Sequence, residues 1–219
     1  IALWDLKGKI LNQPIYKLLG GSLREKIMVY ANGWYTNPGT PKLNAEEAEK
    51  VIGMGYKAIK FDPFGQKNFY KLSKEEFFLS ENRIKEVRKA VGQNIEILIE
   101  GHAKFNVMNA VKIAEMIKKY DPLFFEEPVS EENISELVNL KKYTNISIAT
   151  GERLYTKFPF GEIIDKNAAD VLQPDIANAG GLTELKKISN MAEELQELAL
   201  KRTKEINEAY EYFKKKYGE

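Results

Sequence analysis

Short apolar runs alternate with helical patterns through the middle of the chain, and this alternation constrains the fold more than any other feature. Strands separated by amphipathic helices indicate βα units and a parallel sheet that is covered on both faces. Strands are predicted over residues 26–31, 56–62, 95–102, 123–128, 146–152 and 169–175. The predicted fold class is therefore α/β, with about six βα units.

Two architectures accommodate six βα units: an open, doubly wound sheet and a partial (β/α)8 barrel. No GxGxxG or GxxxxGK[ST] motif follows any predicted strand, so dinucleotide and P-loop binding have no support. The first helix is predicted to open at Asn44, because Asn44 and Glu47 have the spacing of a capping box. Further helices are predicted over residues 74–92, 106–120 and 130–143, and around 158–166.

The C-terminal part of the chain has a different pattern. Neither glycine nor proline occurs from Leu182 to Tyr217, and apolar residues recur there every three or four positions. This pattern predicts one long amphipathic helix. It either packs along the exposed side of an incomplete barrel or offers a coiled-coil-like surface to a partner. We interpret residues 1–193 as a barrel segment and residues 194–219 as a helical extension in place of the last barrel units.

Composition excludes several classes of function. The 33 basic and 32 acidic residues give a net charge of +1, which argues against a nucleic-acid or membrane-surface partner. The absence of cysteine leaves only oxygen and nitrogen atoms as metal ligands. No apolar run approaches the length of a transmembrane helix, and the N-terminus does not read as a signal peptide. The expected location is the cytoplasm.

Acidic residues close three successive predicted strands. Glu100 and Glu126 lie 26 residues apart, and so do Glu126 and Glu152. Equal spacing predicts that the three carboxylates share one level at the C-terminal edge of the sheet, where parallel α/β proteins build their sites. Converging carboxylates repel one another, and a hard divalent cation such as Mg²⁺ is the usual compensation. The alternative is that these acids are solvated loop residues or helix caps.

His102 is the only histidine in the sequence, and it lies two residues after Glu100. In an extended strand the two side chains share a face, which makes His102 the best candidate for a general acid or base. A lone histidine is, however, more often a surface or structural residue. Lys60 and Asp62 also share a face, and they could hold a substrate carboxylate or pair with each other.

Several ordered motifs resemble a known family. They are ALWDLKGKILNQPIYKLLGG, YANGWY, KAIKFDPFG, ILIEGHAKF, LFFEEPV, IATGERL and LQPDIANAGGLTE. Over residues 2–193 they are similar to the enolase superfamily and, within it, to the mandelate racemase subgroup. The most similar members of that subgroup are the sugar-acid dehydratases that act on gluconate or galactonate.

The resemblance implies a modified (β/α) barrel with an essential Mg²⁺, whose three ligands fall on Glu100, Glu126 and Glu152. The family reaction is a lyase reaction. It removes the proton α to the substrate carboxylate, the metal stabilises the enediolate, and the β-hydroxyl leaves to give a 2-keto-3-deoxy sugar acid. His102 matches the histidine that helps the hydroxyl depart. Asp175 matches the aspartate that orients a second histidine, which is the base.

The sequence also departs from the family pattern. Asp62 stands where racemases of the subgroup often carry a lysine, and Lys104 stands where relatives often carry arginine. The capping domain of the family ends where this sequence starts. The base histidine belongs at the end of a seventh strand that is not predicted here. We therefore expect a truncated or chimeric barrel with little or no turnover by itself. The alternative is a structural fragment that self-associates through its open sheet edges or its long helix.

Overall fold

A computed structural model describes residues 1–65, 72–194 and 197. Five strands alternate with helices along the chain, and three helices precede the first strand. The helices are α1 Ala2–Ile10, α2 Ile15–Leu18, α3 Pro41–Gly53, α4 Lys74–Val91, α5 Val107–Lys118, α6 Ile134–Lys141, α7 Lys157–Asp165 and α8, residues 182–194. The strands are β1 Ala58–Phe61, β2 Glu96–Glu100, β3 Pro122–Glu126, β4 Ile148–Thr150 and β5 Val171–Leu172.

The five strands form one parallel sheet in the order β1-β2-β3-β4-β5. Each strand therefore pairs with the next strand along the chain. A doubly wound sheet reverses its strand order at a switch point, whereas a (β/α)8 barrel adds strands in one direction only. The sequential order decides between the two architectures in favour of the barrel type. The predicted α/β partial barrel is confirmed.

The two faces of the sheet are packed differently. One face carries the main core, in which strand residues such as Ile59, Ile99 and Phe125 pack against the surrounding helices. The other face corresponds to the inside of a barrel. It carries a small apolar layer built from alternate strand residues: Ala58, Leu98, Phe124, Ala149 and Val171. Positions two residues further along the strands therefore face the same inner side, at the carboxyl end of the sheet.

The first predicted strand was wrong in its extent. Over residues 26–31 only Ala31 pairs with the sheet, through a single parallel bridge to Ile59 on the free side of β1. Ile27, Met28 and Val29 are 78%, 66% and 62% exposed. An apolar, β-branched run predicts a strand only when a neighbouring surface covers it, and here most of the run is exposed.

The start of the first long helix was also misplaced. Helix α3 begins at Pro41, and Thr40 is its N-cap, with its side chain accepting a hydrogen bond from the backbone N–H of Leu43. Asn44 lies inside the helix, and its side chain donates to the Thr36 carbonyl. Proline is favoured at the first helical position because its missing N–H would have no partner there. The spacing of Asn44 and Glu47 matches a capping box, but the N-cap of the helix, Thr40, lies about one turn earlier.

The Arg88 side chain links the two chain connections at the amino-terminal end of the sheet. This buried side chain of α4 donates to the carbonyls of Tyr120, Gly92, Ile95 and Asp121 at 2.6–3.1 Å. Those carbonyls lie in the connections before β2 and β3. Burial is the main effect on its pKa, which is lowered from the usual arginine value.

The last helix begins as predicted at residue 182 and is helical to residue 194. Its start contacts α1, where the Trp4 indole donates to the Thr183 hydroxyl at 2.9 Å. The predicted continuation to Tyr217 and the predicted domain of residues 194–219 lie almost wholly outside the described residues. Over the part of the chain that the structure covers, no helix is long and apolar enough to cross a membrane.

Candidate metal-binding and catalytic site

Polar side chains occupy the inner face of the sheet at its carboxyl end. They are Lys60, Glu100, Glu126 and Gln173, and each follows a member of the inner apolar layer by two residues. The pairing register places Glu100 directly opposite Glu126 on adjacent strands. A polar layer therefore sits immediately above an apolar one, at the edge where parallel sheets of this type build their sites.

Lys60 lies between the two paired carboxylates. Its Nζ is 3.0 Å from Oε2 of Glu100 and 2.5 Å from Oε1 of Glu126. The side-chain amide of Gln173 donates to the other oxygen of Glu126 at 3.2 Å. The side chains of Lys60, Glu100 and Glu126 are 6%, 7% and 2% exposed. Water therefore screens these charges little, and their mutual attraction is strong.

Burial and charge shift the protonation of this group. The pKa of Glu100 is raised to about 7, first because the carboxyl is buried and second because the Glu126 carboxylate is adjacent. Burial tends to lower the pKa of Lys60, but Glu100 and Glu126 together outweigh burial and raise it above the usual lysine value. One protonated ammonium therefore bridges two crowded carboxyl groups and balances the charge of only one of them when both are ionised.

Glu152 does not join this group. Glu126 pairs with Ala149, which lies three residues before Glu152, so equal spacing in sequence does not give an equal level in the sheet. Strand alternation puts Gly151, rather than Glu152, on the inner face. The Glu152 side chain is 42% exposed and lies 3.8 Å from the guanidinium of Arg153. The expectation of one shared level holds for Glu100 and Glu126 and fails for Glu152. The role of Glu152 as a metal ligand stays a prediction.

His102 lies beside Glu100, although not for the reason expected from the sequence. Strand β2 ends at Glu100, and both His102 and Ala103 have a φ of +55°, so strand alternation does not extend to His102. The turn instead directs the His102 backbone N–H to Oε1 of Glu100 at 2.8 Å. The imidazole Nδ1 is 3.9 Å from the same oxygen, and the side chain is 56% exposed. The imidazole is thus accessible at the edge of the site, and its catalytic role stays a prediction.

Gly101 allows this turn to close on the end of β3. Its N–H donates to the Glu126 carbonyl at 2.7 Å, and the N–H of Ala103 donates to the Glu127 carbonyl at the same distance. A Cβ at position 101 would lie 2.7 Å from the Glu127 oxygen and 2.9 Å from the Glu126 oxygen. Real Cβ atoms do not approach backbone so closely. The position therefore requires glycine. The turn at Gly101 fixes the backbone of Glu100 and His102, the predicted metal ligand and the predicted acid.

Asp62 is paired with Lys104 and not with Lys60. Both Asp62 and Lys104 are buried, and the Lys104 ammonium contacts Oδ2 of Asp62. The other Asp62 oxygen accepts the backbone N–H of Phe64 at 2.9 Å. The suggestion from the sequence that Lys60 and Asp62 pair with each other was wrong, because Lys60 is held by the two glutamates. The two buried lysines at this edge therefore have different acidic partners.

A second charged group lies beside the first. Glu127 is fully buried, and its Oε2 is 3.2 Å from Nη2 of Arg153. The Arg153 Nε is 3.9 Å from Glu131 and 3.8 Å from Glu152. The pKa of Glu127 is raised to about 8, mainly by burial and then by the Glu131 charge, while Arg153 opposes the rise. This group links the loop after β3 to the loop after β4.

Asp175 shapes the loop after β5. Its Oδ1 accepts the backbone N–H groups of Ala177 and Asn178 at 2.8 Å each. The Asn178 side chain in turn donates to the Glu152 carbonyl at 2.9 Å. The 219 residues contain one histidine, so a second histidine for Asp175 to orient is not among them. Its catalytic role stays a prediction.

Gln173 and Arg153 are site residues that were not identified from the sequence. Gln173 directly follows β5 and binds Glu126. The signal was present, because it is a polar residue at the end of a predicted strand, like the acids that were chosen. Arg153 follows Glu152 directly, and a cation next to a predicted acidic edge is a natural counter-ion.

The donor set fits a hard divalent cation in part. Glu100 and Glu126 are buried, converge on one cationic atom and offer only carboxylate oxygens, which are the donors that Mg²⁺ prefers. Among the described residues, however, no group of three or more histidine, cysteine, aspartate and glutamate side chains is arranged to hold a metal ion. The site thus has two converging candidate ligands, and the predicted third lies apart from them.

The sheet and its acidic inner edge define a segment of a (β/α) barrel. Residues 44–197, more than half of the chain, match the Enolase C-terminal domain-like family. The chain belongs to this family.

Similar proteins agree with this assignment. The chain is 43% identical over 193 residues to D-gluconate dehydratase of Thermoproteus tenax, covering 88% of the chain and 39% of that relative. It is 38% identical over 193 residues to D-gluconate/D-galactonate dehydratase of Picrophilus torridus, covering 88% of the chain and 49% of the relative. A crystal structure of a member of the enolase superfamily from Salmonella Typhimurium superposes with a TM-score of 0.84 and 34% identity. The superposition covers 89% of this chain and 54% of the Salmonella protein.

The chain thus spans about half the length of the relatives that it matches. The predicted resemblance to sugar-acid dehydratases of the enolase superfamily is confirmed at the level of the family.

Proposed function

We propose that this chain provides the metal-binding side of a sugar-acid dehydratase site. The observation that carries the proposal is the convergence of Glu100 and Glu126 on one buried cation at the carboxyl end of a barrel-type sheet. The similarity to gluconate and galactonate dehydratases supplies the substrate class. The reaction would remove a proton next to the substrate carboxylate and expel the hydroxyl on the following carbon.

Glu100 and Glu126 would hold a Mg²⁺ ion, and Glu152 remains the predicted third ligand. Bound Mg²⁺ supplies positive charge where negative charge develops on the substrate carboxylate. Lys60, at the same edge, would contribute a second positive charge toward an acidic substrate. Lys60, Glu100, Glu126 and Gln173 lie within one hydrogen-bonded network, which supports a single site.

His102 would act as the general acid for the departing hydroxyl. Its side chain is largely exposed at the site edge, and Glu100 fixes its backbone, so the imidazole can meet a bound molecule without losing its place. The 219 residues hold no second histidine to act as the base. We therefore propose that turnover by these residues alone is weak, since loss of a positioned acid or base costs about 10²–10⁴-fold in rate.

Turnover of D-gluconate and D-galactonate with added Mg²⁺ tests the proposal, with formation of a 2-keto-3-deoxy acid as the readout. Weak turnover that disappears in His102→Asn and Glu126→Gln, but persists in the exposed control Glu132→Gln, would support it. Turnover that survives both site substitutions would contradict the assignment of these residues. Turnover at the rate of an intact dehydratase would contradict the expected weakness.

Self-association is a second candidate function, favoured by the exposed apolar run beside β1. Ile27, Met28 and Val29 are exposed next to an edge strand, which is a surface that another copy of the chain can extend. Size-exclusion chromatography with light scattering tests this candidate. A dimer that becomes a monomer in Ile27→Lys/Val29→Lys would support it, and a monomeric wild-type chain would contradict it.

A further inference from the structure

The Lys60 ammonium binds both predicted metal ligands, Glu100 and Glu126, at the place where a divalent cation would bind them. Its ammonium contacts one oxygen of Glu100 and one of Glu126. The neighbouring cations are engaged with other acids: Lys104 contacts Asp62, and Arg153 lies against Glu127. Among the described residues, Lys60 is the one whose cation contacts both Glu100 and Glu126, whereas the His102 imidazole lies 3.9 Å from Glu100 alone.

An ammonium and a divalent cation compete for these oxygens. Mg²⁺ binds carboxylate oxygens at about 2.0–2.1 Å. The Lys60 Nζ lies 2.5 Å from a Glu126 oxygen and 3.0 Å from a Glu100 oxygen, so the ammonium occupies the space that a Mg²⁺ ion bound to both glutamates would need. Two cations so near each other in a buried site repel strongly. The ammonium also lies over the face of the Tyr30 ring, 5.7 Å from its centroid, and this contact does not depend on either glutamate. Lys60 can therefore withdraw without leaving the inner face.

We infer that Lys60 is a positioning residue that sets the divalent-cation affinity of the site by competing for Glu100 and Glu126. This inference rests on the proposed function, since it takes both glutamates as ligands. It predicts an effect of unusual sign. Removing the charge of a buried site residue should strengthen cation binding, whereas mere structural damage would weaken it.

Calorimetric titration with MgCl₂ alone tests the inference on the whole chain. Lys60→Met should bind Mg²⁺ with a Kd about tenfold or more below that of the wild type, equivalent to about 1.4 kcal/mol or more. Lys60→Arg keeps the charge and should not bind more tightly than the wild type. Lys104→Met removes the other buried lysine, which contacts Asp62 instead, and should change the Kd less than about threefold, because that charge does not contact either glutamate.

Thermal unfolding supplies an independent readout. Without divalent cations Lys60→Met should unfold at a lower temperature than the wild type, because Glu100 and Glu126 then lack their counter-ion. Added Mg²⁺ should raise its unfolding temperature more than that of the wild type. If Lys60→Met does not fold, Lys60→Gln serves instead, because its neutral amide keeps two hydrogen-bond donors.

The outcomes separate this inference from the proposed function. Equal or weaker Mg²⁺ binding by the neutral Lys60 variants would overturn the inference while leaving the metal site in place. An increase of the same size in Lys104→Met would also overturn it, since the effect would then be one of net charge. Failure of both the wild type and the Lys60 variants to bind Mg²⁺ would overturn the inference and the metal site together.

Discussion

Replacing Gly101 by alanine should displace the turn that carries His102. The added Cβ would lie 2.7 Å from the Glu127 carbonyl oxygen, 2.9 Å from that of Glu126 and 2.9 Å from the Phe125 ring. Two of these atoms are backbone at the end of β3, so no side-chain rotation relieves the contacts. The turn between β2 and α5 has to move away from β3.

The cost has two parts. Overpacking of this kind costs about 1–3 kcal/mol. The same movement stretches the hydrogen bonds from Gly101 and Ala103 to β3, each worth about 1 kcal/mol. We expect a loss of about 3–5 kcal/mol in the free energy of unfolding if both hydrogen bonds are lost. For a chain of this size, each kcal/mol lowers the Tm by about 2–4 °C. Cation binding should weaken as well, because Glu100 and Glu126 flank the displaced turn.

Urea unfolding and thermal scans measure the first effect, and Mg²⁺ titration measures the second. Gly53→Ala is the matched control, because no atom lies within 4 Å of its added Cβ and its helix gains a better helix former. The control should be unchanged or slightly more stable. A Gly101→Ala variant within about 0.5 kcal/mol of the wild type, with unaltered cation affinity, would refute the steric argument.

Three further predictions concern stability. Arg88→Met keeps the stem but leaves carbonyls before β2 and β3 without their donor, and should cost about 2–4 kcal/mol in urea unfolding, whereas the exposed Arg24→Met should cost little. The folded state holds the Glu127 proton up to a pKa of about 8, above the usual glutamate value, so it binds more protons than the unfolded chain between about pH 4.5 and 8. Stability should therefore fall as pH rises through that window, and Glu127→Gln should reduce the slope in pH-dependent denaturation, whereas the exposed Glu132→Gln should not. Ser73→Ala removes the capping box of α4 and should cost about 1 kcal/mol by thermal scan; no loss would show that the cap is not needed.

Much of the fold could be predicted from the sequence because parallel strands have a simple signature. Buried strands such as Ile97–Ile99 are continuous apolar runs, and the helices between them are amphipathic. The run from Ile27 to Tyr30 has the same composition, yet only its neighbour Ala31 pairs with the sheet. Local pattern cannot show whether a neighbouring surface covers a strand, so this error could not be avoided from one sequence.

The candidate site was predictable where it depended on strand ends and not where it depended on register. Glu100 and Glu126 end adjacent strands and lie opposite each other. Glu152 has the same sequence spacing but lies beyond the paired level, because Glu126 pairs with Ala149, which precedes Glu152 by three residues. The pairing of Lys60 with two glutamates depends on long-range contacts that spacing does not encode. The cytoplasmic location and the sugar-acid substrate stay predictions.

The most direct test of the central claim is a calorimetric titration of the chain with Mg²⁺, repeated with Mn²⁺. We expect binding at one site by the wild type, unchanged binding by the exposed control Glu132→Gln, and loss of binding in Glu126→Gln. Binding that is unaffected by Glu126→Gln, or no binding by either the folded wild-type chain or Lys60→Met, would contradict the claim that Glu100 and Glu126 form a cation site.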